Sequence, residues 1–400
     1  KCATMNHLNK SISNDPTLLK RMEATEVNIQ KWIASQQSAR QAAATYTIPV
    51  VVHVIYNADI ENISDDQIKS QMTVLNNDFR KLNADSLVSS HPFYNATSDA
   101  AIEFCLASID PSGNATNGIT RTKTTVSTWL EDMQDDIKST ANGGHDNWDP
   151  AKYLNLYVVN LDGTTLGFAT FPDELVEKPS LDGVVIRYEA FGTTGTAGTS
   201  GFDVNKGGRT ATHEVGHWLN LRHIWGDDLC GNDYVDDTEP AKEANYGCPT
   251  LPHNAGGACN TGANGEMFMN YMDYADDNCM AMFTKGQATR MHAAINGIRS
   301  GLLTAQKCGT ATGLNDSFDE RSFEIFPNPS NGHFNVKYTN GQTKNINITV
   351  MNVLGEKVKS LDLNGLTNTE LDLNEYGVGV YFVKLTFANK TITKKVFVTK

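Results

Sequence analysis

The run Thr212-His-Glu-Val-Gly-His-Trp-Leu-Asn-Leu-Arg-His223 gathers the residues with the most chemistry in the chain. On a helix, residues four apart share a face, so His213 and His217 would present both imidazoles to one point. Imidazoles gathered in this way hold a transition metal, zinc above all. Glu214 stands beside His213, close to such a metal without being drawn in as a ligand. His223 follows His217 by six residues, too far for the same helical turn, so the chain must bend to bring it back. Three histidines leave a fourth tetrahedral position open, which marks a catalytic rather than a closed structural site. The neighbours Val215, Gly216, Trp218, Leu219 and Leu221 are apolar, as a buried active-site helix requires. A surface adhesion or binding protein with a structural zinc is the alternative. Glu214 argues against it, because a closed site has no use for a carboxylate beside the metal.

The spacing matches the extended peptidase motif H-E-x-x-H-x-x-G-x-x-H, except that Asn220 takes the glycine position. The helix must end there in a turn, often left-handed, and Asn tolerates that conformation best after Gly. Downstream, Met-Asn-Tyr-Met-Asp-Tyr at 269–274 offers the Met-containing turn that accompanies this motif. Met272 is its candidate, and Tyr274 would reach the metal region as a phenol able to ligate or hydrogen-bond. Met267, Met269, Met280 and Met282 are expected to fill core space. No G-x-S-x-G elbow or cysteine-centred signature competes with this assignment.

These segments resemble the pappalysin family of metzincin peptidases, its small bacterial and archaeal members in particular. HEVGHWLNLRH, NDYVDDTEPA, the 269–274 turn and DDNCMAMFTKGQATRM carry the likeness, which covers residues 46–307 and is strongest from 205 onward. The resemblance implies that His213, His217 and His223 ligate zinc and that Glu214 is the general base and acid of peptide hydrolysis. It implies Met272 in the Met-turn and Tyr274 stabilising the tetrahedral intermediate. It also implies the disulfides Cys230–Cys259 and Cys248–Cys279, where the four cysteines by themselves allow three pairings. Calcium is implied among the acidic residues 227–239, with Asp233, Asp237 and Thr238 the matching positions; read alone, that run is a solvated face. Asp277 matches an acidic residue that lines the S1′ pocket and selects Arg or Lys at P1′, since a buried carboxylate recognises a basic side chain strongly. Read alone, Asp277 belongs to a solvated Asp276-Asp277 pair.

Seven cysteines suit an oxidising compartment. Cys105 and Cys308 are an open possibility for a further bridge, which leaves Cys2 odd. A thiolate is an excellent fourth zinc ligand, so Cys2 is expected to close the metal site and hold the enzyme latent, as in family members with a short propeptide. The plain alternatives are a free thiol or a lipid-carrying cysteine, and Lys1 ahead of Cys2 argues against the lipid. The propeptide would end near Ser38-Ala39-Arg40-Gln41, where cleavage before Arg40 suits autolytic activation.

The elements that must position these residues are legible in outline. Residues 46–56 read as a buried strand, and Ser64 with Gln67 as a capping box opens a helix whose apolar face is Ile68, Met72, Leu75, Phe79 and Leu82. Strands are expected at 102–107, 153–161 and 184–188, with 166–172 as an edge strand that receives an extended peptide. The Gly/Thr-rich stretch 192–208 is a loop leading to the active-site helix. Thr284 with Gln287 opens a late helix burying Met291, Ala294, Ile295 and Ile298. Asp15 and Pro16 open a helical run in the propeptide, and His53 and His292 are structural. After a polar linker the pattern becomes short alternating strands with Asn/Gly turns, as in a β-sandwich. There Phe323-Glu-Ile-Phe-Pro-Asn-Pro-Ser-Asn-Gly and Gly377-Val-Gly-Val-Tyr-Phe-Val-Lys-Leu resemble the C-terminal sorting domain of type IX secretion. A carbohydrate- or protein-binding module is the alternative for this tail.

The expected fold class is α+β: a metzincin-like zinc peptidase domain, with a mixed twisted sheet and an active-site helix, followed by an all-β sandwich domain. The expected boundaries are 1–45 for the propeptide, 46–308 for the catalytic domain, 309–321 for the linker and 322–400 for the sorting domain. Four hundred residues exceed one usual core. The formal charge of −13 excludes nucleic acid and anionic membrane as partners, and no apolar run is long enough to span a bilayer. Lys1 does not begin a signal peptide, so an export leader is expected ahead of it. The resulting expectation is a latent, secreted or surface-bound zinc endopeptidase exported across the outer membrane. Its partners would be peptide substrates, its own propeptide and the secretion machinery.

Overall fold

The computed structural model describes residues 2–36, 45–255, 257, 259, 262–305, 323–338, 346–353, 355–363, 368–387 and 390–399. The chain divides into two compact units, Lys1–Gly309 and Thr310–Lys400. Among the described residues of the first unit, six strands form one sheet: β1 (Tyr46–Tyr56), β2 (Ile102–Leu106), β3 (Ile119–Lys123), β4 (Leu154–Val159), β5 (Gly167–Ala169) and β6 (Val184–Arg187). The order is β2-β1-β4-β6-β5, with β3 pairing the far half of β1. Every pairing is parallel except β5, which runs antiparallel to β6 at the edge. A strand covered on both faces needs no polar alternation, and β1 is buried from Ile48 through Ile55. Pro49 falls opposite β2 and before β4 joins at Val50, where a missing N–H breaks no ladder on the second side.

The helices of this unit are α1 (Thr4–Asn14), α2 (Leu18–Gln36), α3 (Asp65–Phe79), α4 (Arg209–Trp218) and α5 (Lys285–Asn296). Ser64 caps α3 by accepting the Gln67 N–H at 3.2 Å, but the expected capping box does not close. The Gln67 amide instead donates to the Tyr188 and Phe191 carbonyls, tying α3 to the segment after β6. Leu82, expected on the apolar face, lies past the helix end and is 68% exposed, because Lys81 turns the chain out with φ 52°. The capping box at Thr284 and Gln287 is complete, whereas Ile298 lies beyond α5 and is half-buried. The edge strand is shorter than 166–172, and β3 and α1 went unforeseen. His53 is a satisfied core histidine, bonded to Thr120 at 2.7 Å and Asn155 at 3.0 Å.

One buried ion pair fixes the end of α4. Asp182 and Arg299 are fully buried, and Arg299 donates to both Asp182 oxygens at 2.8 and 3.1 Å. The Trp218 indole donates to Asp182 at 2.9 Å, and Arg299 Nε donates to the Trp218 carbonyl at 2.8 Å. A buried pair met on both sides in this way holds geometry, since losing either partner would strand a charge.

The second unit contains β7 (Phe323–Phe326), β8 (His333–Tyr338), β9 (Ile346–Met351), β10 (Lys357–Leu363), β11 (Asn368–Asp372), β12 (Gly379–Phe387) and β13 (Lys390–Val398). They form a four-stranded sheet, β10-β9-β12-β13, and a three-stranded sheet, β11-β8-β7, both antiparallel. Phe334, Val336 and Leu371 of one sheet share a core with Ile348, Val350, Val383, Leu385 and Val396 of the other, which makes a sandwich. Among the described residues, no helix is long and apolar enough to cross a membrane.

Candidate metal centre

Helix α4 is almost wholly buried, and it ends as the motif requires. Asn220 adopts φ 73°, its N–H bonds the His217 carbonyl at 2.8 Å, and the Leu221 N–H reaches Gly216 at 2.9 Å. Arg290 of α5 braces this turn by donating Nε to the Asn220 carbonyl at 2.8 Å. The bend returns His223 to the helix face, so that the Nε2 atoms of His213, His217 and His223 stand 3.1–3.2 Å from one another.

The far nitrogens explain what those three atoms are for. His213 Nδ1 donates to the Tyr271 carbonyl at 2.7 Å, His217 Nδ1 to the Leu221 carbonyl at 2.8 Å, and His223 Nδ1 to the Asp227 carboxylate. With the proton on Nδ1, each Nε2 is a bare lone pair. Burial holds His213 and His217 well below the usual imidazole range, so they stay neutral. Three lone pairs aimed at one point repel unless a cation lies among them. Zinc with Zn–N bonds of about 2.0–2.1 Å sets tetrahedral nitrogens about 3.4 Å apart, so these residues fit zinc.

Cys2 closes the set. Its Sγ is 3.6 Å from His217 Nε2, and its ligand atom and the three histidine nitrogens all lie within 4.8 Å. Among the described residues this is the only group of three or more His, Cys, Asp or Glu side chains so arranged. Cys2 bridges Gly167 of the edge strand in parallel, and the Ala3 N–H donates to the Gly167 carbonyl at 2.9 Å. Two residues on, Thr4 Oγ1 donates to Glu214 Oε2 at 2.7 Å and accepts the Ala169 N–H at 2.8 Å. Glu214 is fully buried, and its Oε1 has no hydrogen-bond partner. Burial pushes its carboxyl up to about 7, against the bonds from Thr4 and Cys2.

Met272 packs under α4, where a Cβ on Gly216 would meet its Sδ at 2.4 Å; only glycine admits it. The Tyr274 ring lies 5.7 Å from His213 and 4.9 Å from His223, and burial pushes its phenol well up. A cavity of about 240 Å³ opens beside them, lined by Thr210, His213, Glu214, Tyr274, Asp277 and Met280. Asp277 is buried there, with Oδ2 accepting the Gly207 and Arg209 N–H groups at 2.8 and 3.2 Å at the start of α4. Farther off, Asp233 Oδ2 accepts Thr238 Oγ1 at 2.8 Å, and Asp237 Oδ2 accepts the Gly286 N–H at 3.0 Å. The loop is tied by Cys230–Cys259 and Cys248–Cys279, while Cys2 is free. Cys308 and the Ala39-Arg40 bond lie outside the described residues.

Three residues escaped sequence reasoning: Thr4, Asp227 and Arg290. Thr4 acts across 210 residues of chain and Arg290 across 70, and no local pattern marks them. Asp227 stands four residues after His223, a spacing noticeable only once the turn is known.

A mixed sheet, a buried His-Glu helix and a third histidine returned over a Met-turn define a zinc metallopeptidase. The chain belongs to the pappalysin peptidase family: the family model described as "Pregnancy-associated plasma protein-A" matches residues 137–296. A second family model, the secretion system C-terminal sorting domain, matches residues 324–399. The "Extracellular metalloprotease" of Pyricularia oryzae is 31% identical over 272 residues, which cover 66% of this chain and 79% of the relative. That of Colletotrichum graminicola is 42% identical over 151 residues, 35% of this chain and 49% of the relative. Among solved structures, mature mirolysin of Tannerella forsythia in complex with a cleaved peptide is 50% identical with a TM-score of 0.62, covering 65% of this chain and 96% of that one. A Tannerella forsythia promirolysin mutant is 45% identical with a TM-score of 0.67, covering 76% and 96%. The proform thus aligns with a larger share of this chain than the mature form does. The chain is an exported zinc metalloendopeptidase with a propeptide, secreted or held at the cell surface. That class leaves no support for an adhesion protein with a structural zinc.

Proposed function

We propose that Glu214 and Tyr274 carry out peptide hydrolysis at a site ligated by His213, His217 and His223, with Arg or Lys preferred at P1′. Zinc supplies a Lewis acid that polarises the scissile carbonyl and lowers the pKa of the attacking water. Glu214 takes a proton from that water and hands it to the leaving amine, as a positioned carboxylate can. Its unpartnered Oε1 supports this role. The Tyr274 hydroxyl donates to the developing oxyanion. The edge strand β5 receives the substrate backbone by strand addition, and Met272 supports the ligand helix from below. Asp277, in the wall of the cavity, meets the basic side chain after the cut. Cys2 holds the latent form by taking the fourth ligand position.

Residues 1–45 are the propeptide, 46–308 the catalytic domain, 309–321 the linker and 322–400 the sorting domain. Activation falls near Ala39-Arg40. Asp233, Asp237 and Thr238 contribute oxygen ligands to calcium; the buried, unpartnered Oδ1 of Asp237 supports this. The convergence of three bare Nε2 atoms beside Glu214 carries the whole reading. The test is digestion of a peptide library by the processed, zinc-loaded protein, with and without chelator. Cuts before Arg and Lys are expected, with Glu214→Gln slowing them roughly 10²–10⁴-fold while zinc is retained. An uncut library, or a Glu214→Gln rate equal to the parent's, overturns it.

A further inference from the structure

His223 differs from the other two zinc-directed histidines in what holds its far nitrogen. His213 and His217 donate to neutral backbone carbonyls, whereas His223 donates to the carboxylate of Asp227. The difference matches where each ring comes from. His213 and His217 stand on one buried helix that sets both directions, but His223 lies past the left-handed Asn220, on irregular chain. Its ring needs an outside brace.

The chain between His223 and Asp227 is built to supply one. Gly226 and Asp227 are both left-handed, at φ 65° and 62°. A side chain larger than hydrogen at Gly226 would put a Cβ 2.2 Å from the Asn232 nitrogen. The Gly226 N–H bonds the His223 carbonyl at 2.8 Å, and the Gly231 N–H bonds the Trp225 carbonyl at 3.0 Å. An aspartate in this conformation is uncommon, and here it folds the carboxylate back over the imidazole. Trp225 stacks flat on the same ring, with centroids 4.3 Å apart and planes 6° apart. Asp227 is 11% exposed, and its second oxygen, Oδ2, has no hydrogen-bond partner. A half-bonded buried carboxylate is costly unless cationic charge answers it. An imidazole bound to zinc provides that charge.

We propose that Asp227 is the positioning residue for His223, fixing its tautomer and ring orientation and raising its basicity toward zinc. It acts through the histidine and does not touch substrate. A carboxylate behind a ligating imidazole typically changes metal affinity roughly 10–100-fold. The inference rests on the reading of the three histidines as zinc ligands.

The experiment uses the full chain, stripped of metal, and measures zinc affinity by competition with a chromogenic chelator for the parent and Asp227→Asn. The thermal midpoint in excess zinc reports folding. The visible spectrum of the cobalt-substituted protein reports the ligand field. Asp227→Asn should fold normally in excess zinc, lose roughly 10–100-fold in zinc affinity and shift the cobalt spectrum. Equal affinity with an unchanged spectrum overturns the proposal. Should Asp227→Asn fail to fold, the imidazole N–H resonances of the zinc-loaded parent decide. The His223 proton should lie farthest downfield of the three, and three equivalent protons overturn the inference. A parent that binds no zinc defeats the site reading itself, which keeps the two failures apart.

Discussion

Thr4 binds Glu214 through a shorter contact than Cys2 makes, 2.7 Å against 3.5 Å. It also accepts the Ala169 N–H, so one fully buried hydroxyl occupies both Glu214, the proposed general base, and the edge strand proposed to receive a substrate. Replacing it by valine would strand both partners in an apolar contact, each at about 1–3 kcal/mol. Unprocessed Thr4→Val should therefore cleave a basic peptide at least about tenfold faster than the unprocessed parent, with Cys2 intact. Hydrolysis rates of the two zymogens check this, and equal latency would mean that the thiol alone holds the site. That the histidines, Glu214, Met272 and Cys2 come together is legible in sequence from their residue types and, for all but Cys2, from their spacing. Thr4 is not, because a threonine in a helix start means nothing until the fold lays it on Glu214.

At the scale of elements, α3 and α4 meet through Asp78. It accepts Thr212 Oγ1 at 2.6 Å and faces Arg209 Nε at 3.1 Å, while its other oxygen has no partner. Burial pushes this carboxyl up to about 6, overriding the pull of Arg209 and Thr212. The folded form then holds a proton that the unfolded chain releases near pH 4. Stability from this group is complete below that pH and is lost as pH rises through about 6. Asp78→Asn should remove that loss, gaining about 1 kcal/mol on the parent between pH 5 and pH 7. Denaturant titrations of both proteins at the two pH values measure it, and parallel profiles would refute it. Elements with strong patterns, β1, α4 and α5, were readable from periodicity and caps. The strand β3 was not, since Ile-Thr-Arg-Thr-Lys is polar and none of its residues is buried in the fold. Nor was α1, whose Met5, Leu8 and Ile12 are too few to support eleven residues except by packing on Phe171.

Among the described residues the two units have separate apolar cores, and the histidine cluster lies in the first. Zinc binding should stabilise that unit alone, by about 4 kcal/mol when free zinc is a thousand times its dissociation constant. Calorimetry of the full chain should show two transitions, of which a chelator lowers one and leaves the other in place. A single transition, or one that moves for both units, would contradict independent cores. The prosegment adds a further tie at this scale. Glu26 of α2 meets Arg290 through both carboxylate oxygens at 2.9 and 2.6 Å, and Arg290 in turn holds the Asn220 turn. The N-terminal segment is thus tied to α4 through Thr4 and Cys2 and, by way of Glu26 and Arg290, to the turn that follows it.

The sequence by itself marked His213, Glu214, His217, His223 and Met272 as one group and Asn220 as a left-handed turn, because each is a matter of residue type at short spacing. It also determined the class of both units, because hydrophobic period and turn residues act locally. The tertiary structure alone decided what stands behind those groups. Thr4 on Glu214, Asp227 behind His223 and Arg290 under Asn220 are set by backbone turns and by contacts across the chain. No local pattern encodes Thr4's partner 210 residues away or Arg290's partner 70 away, and only the turn after His223 brings Asp227 back over it.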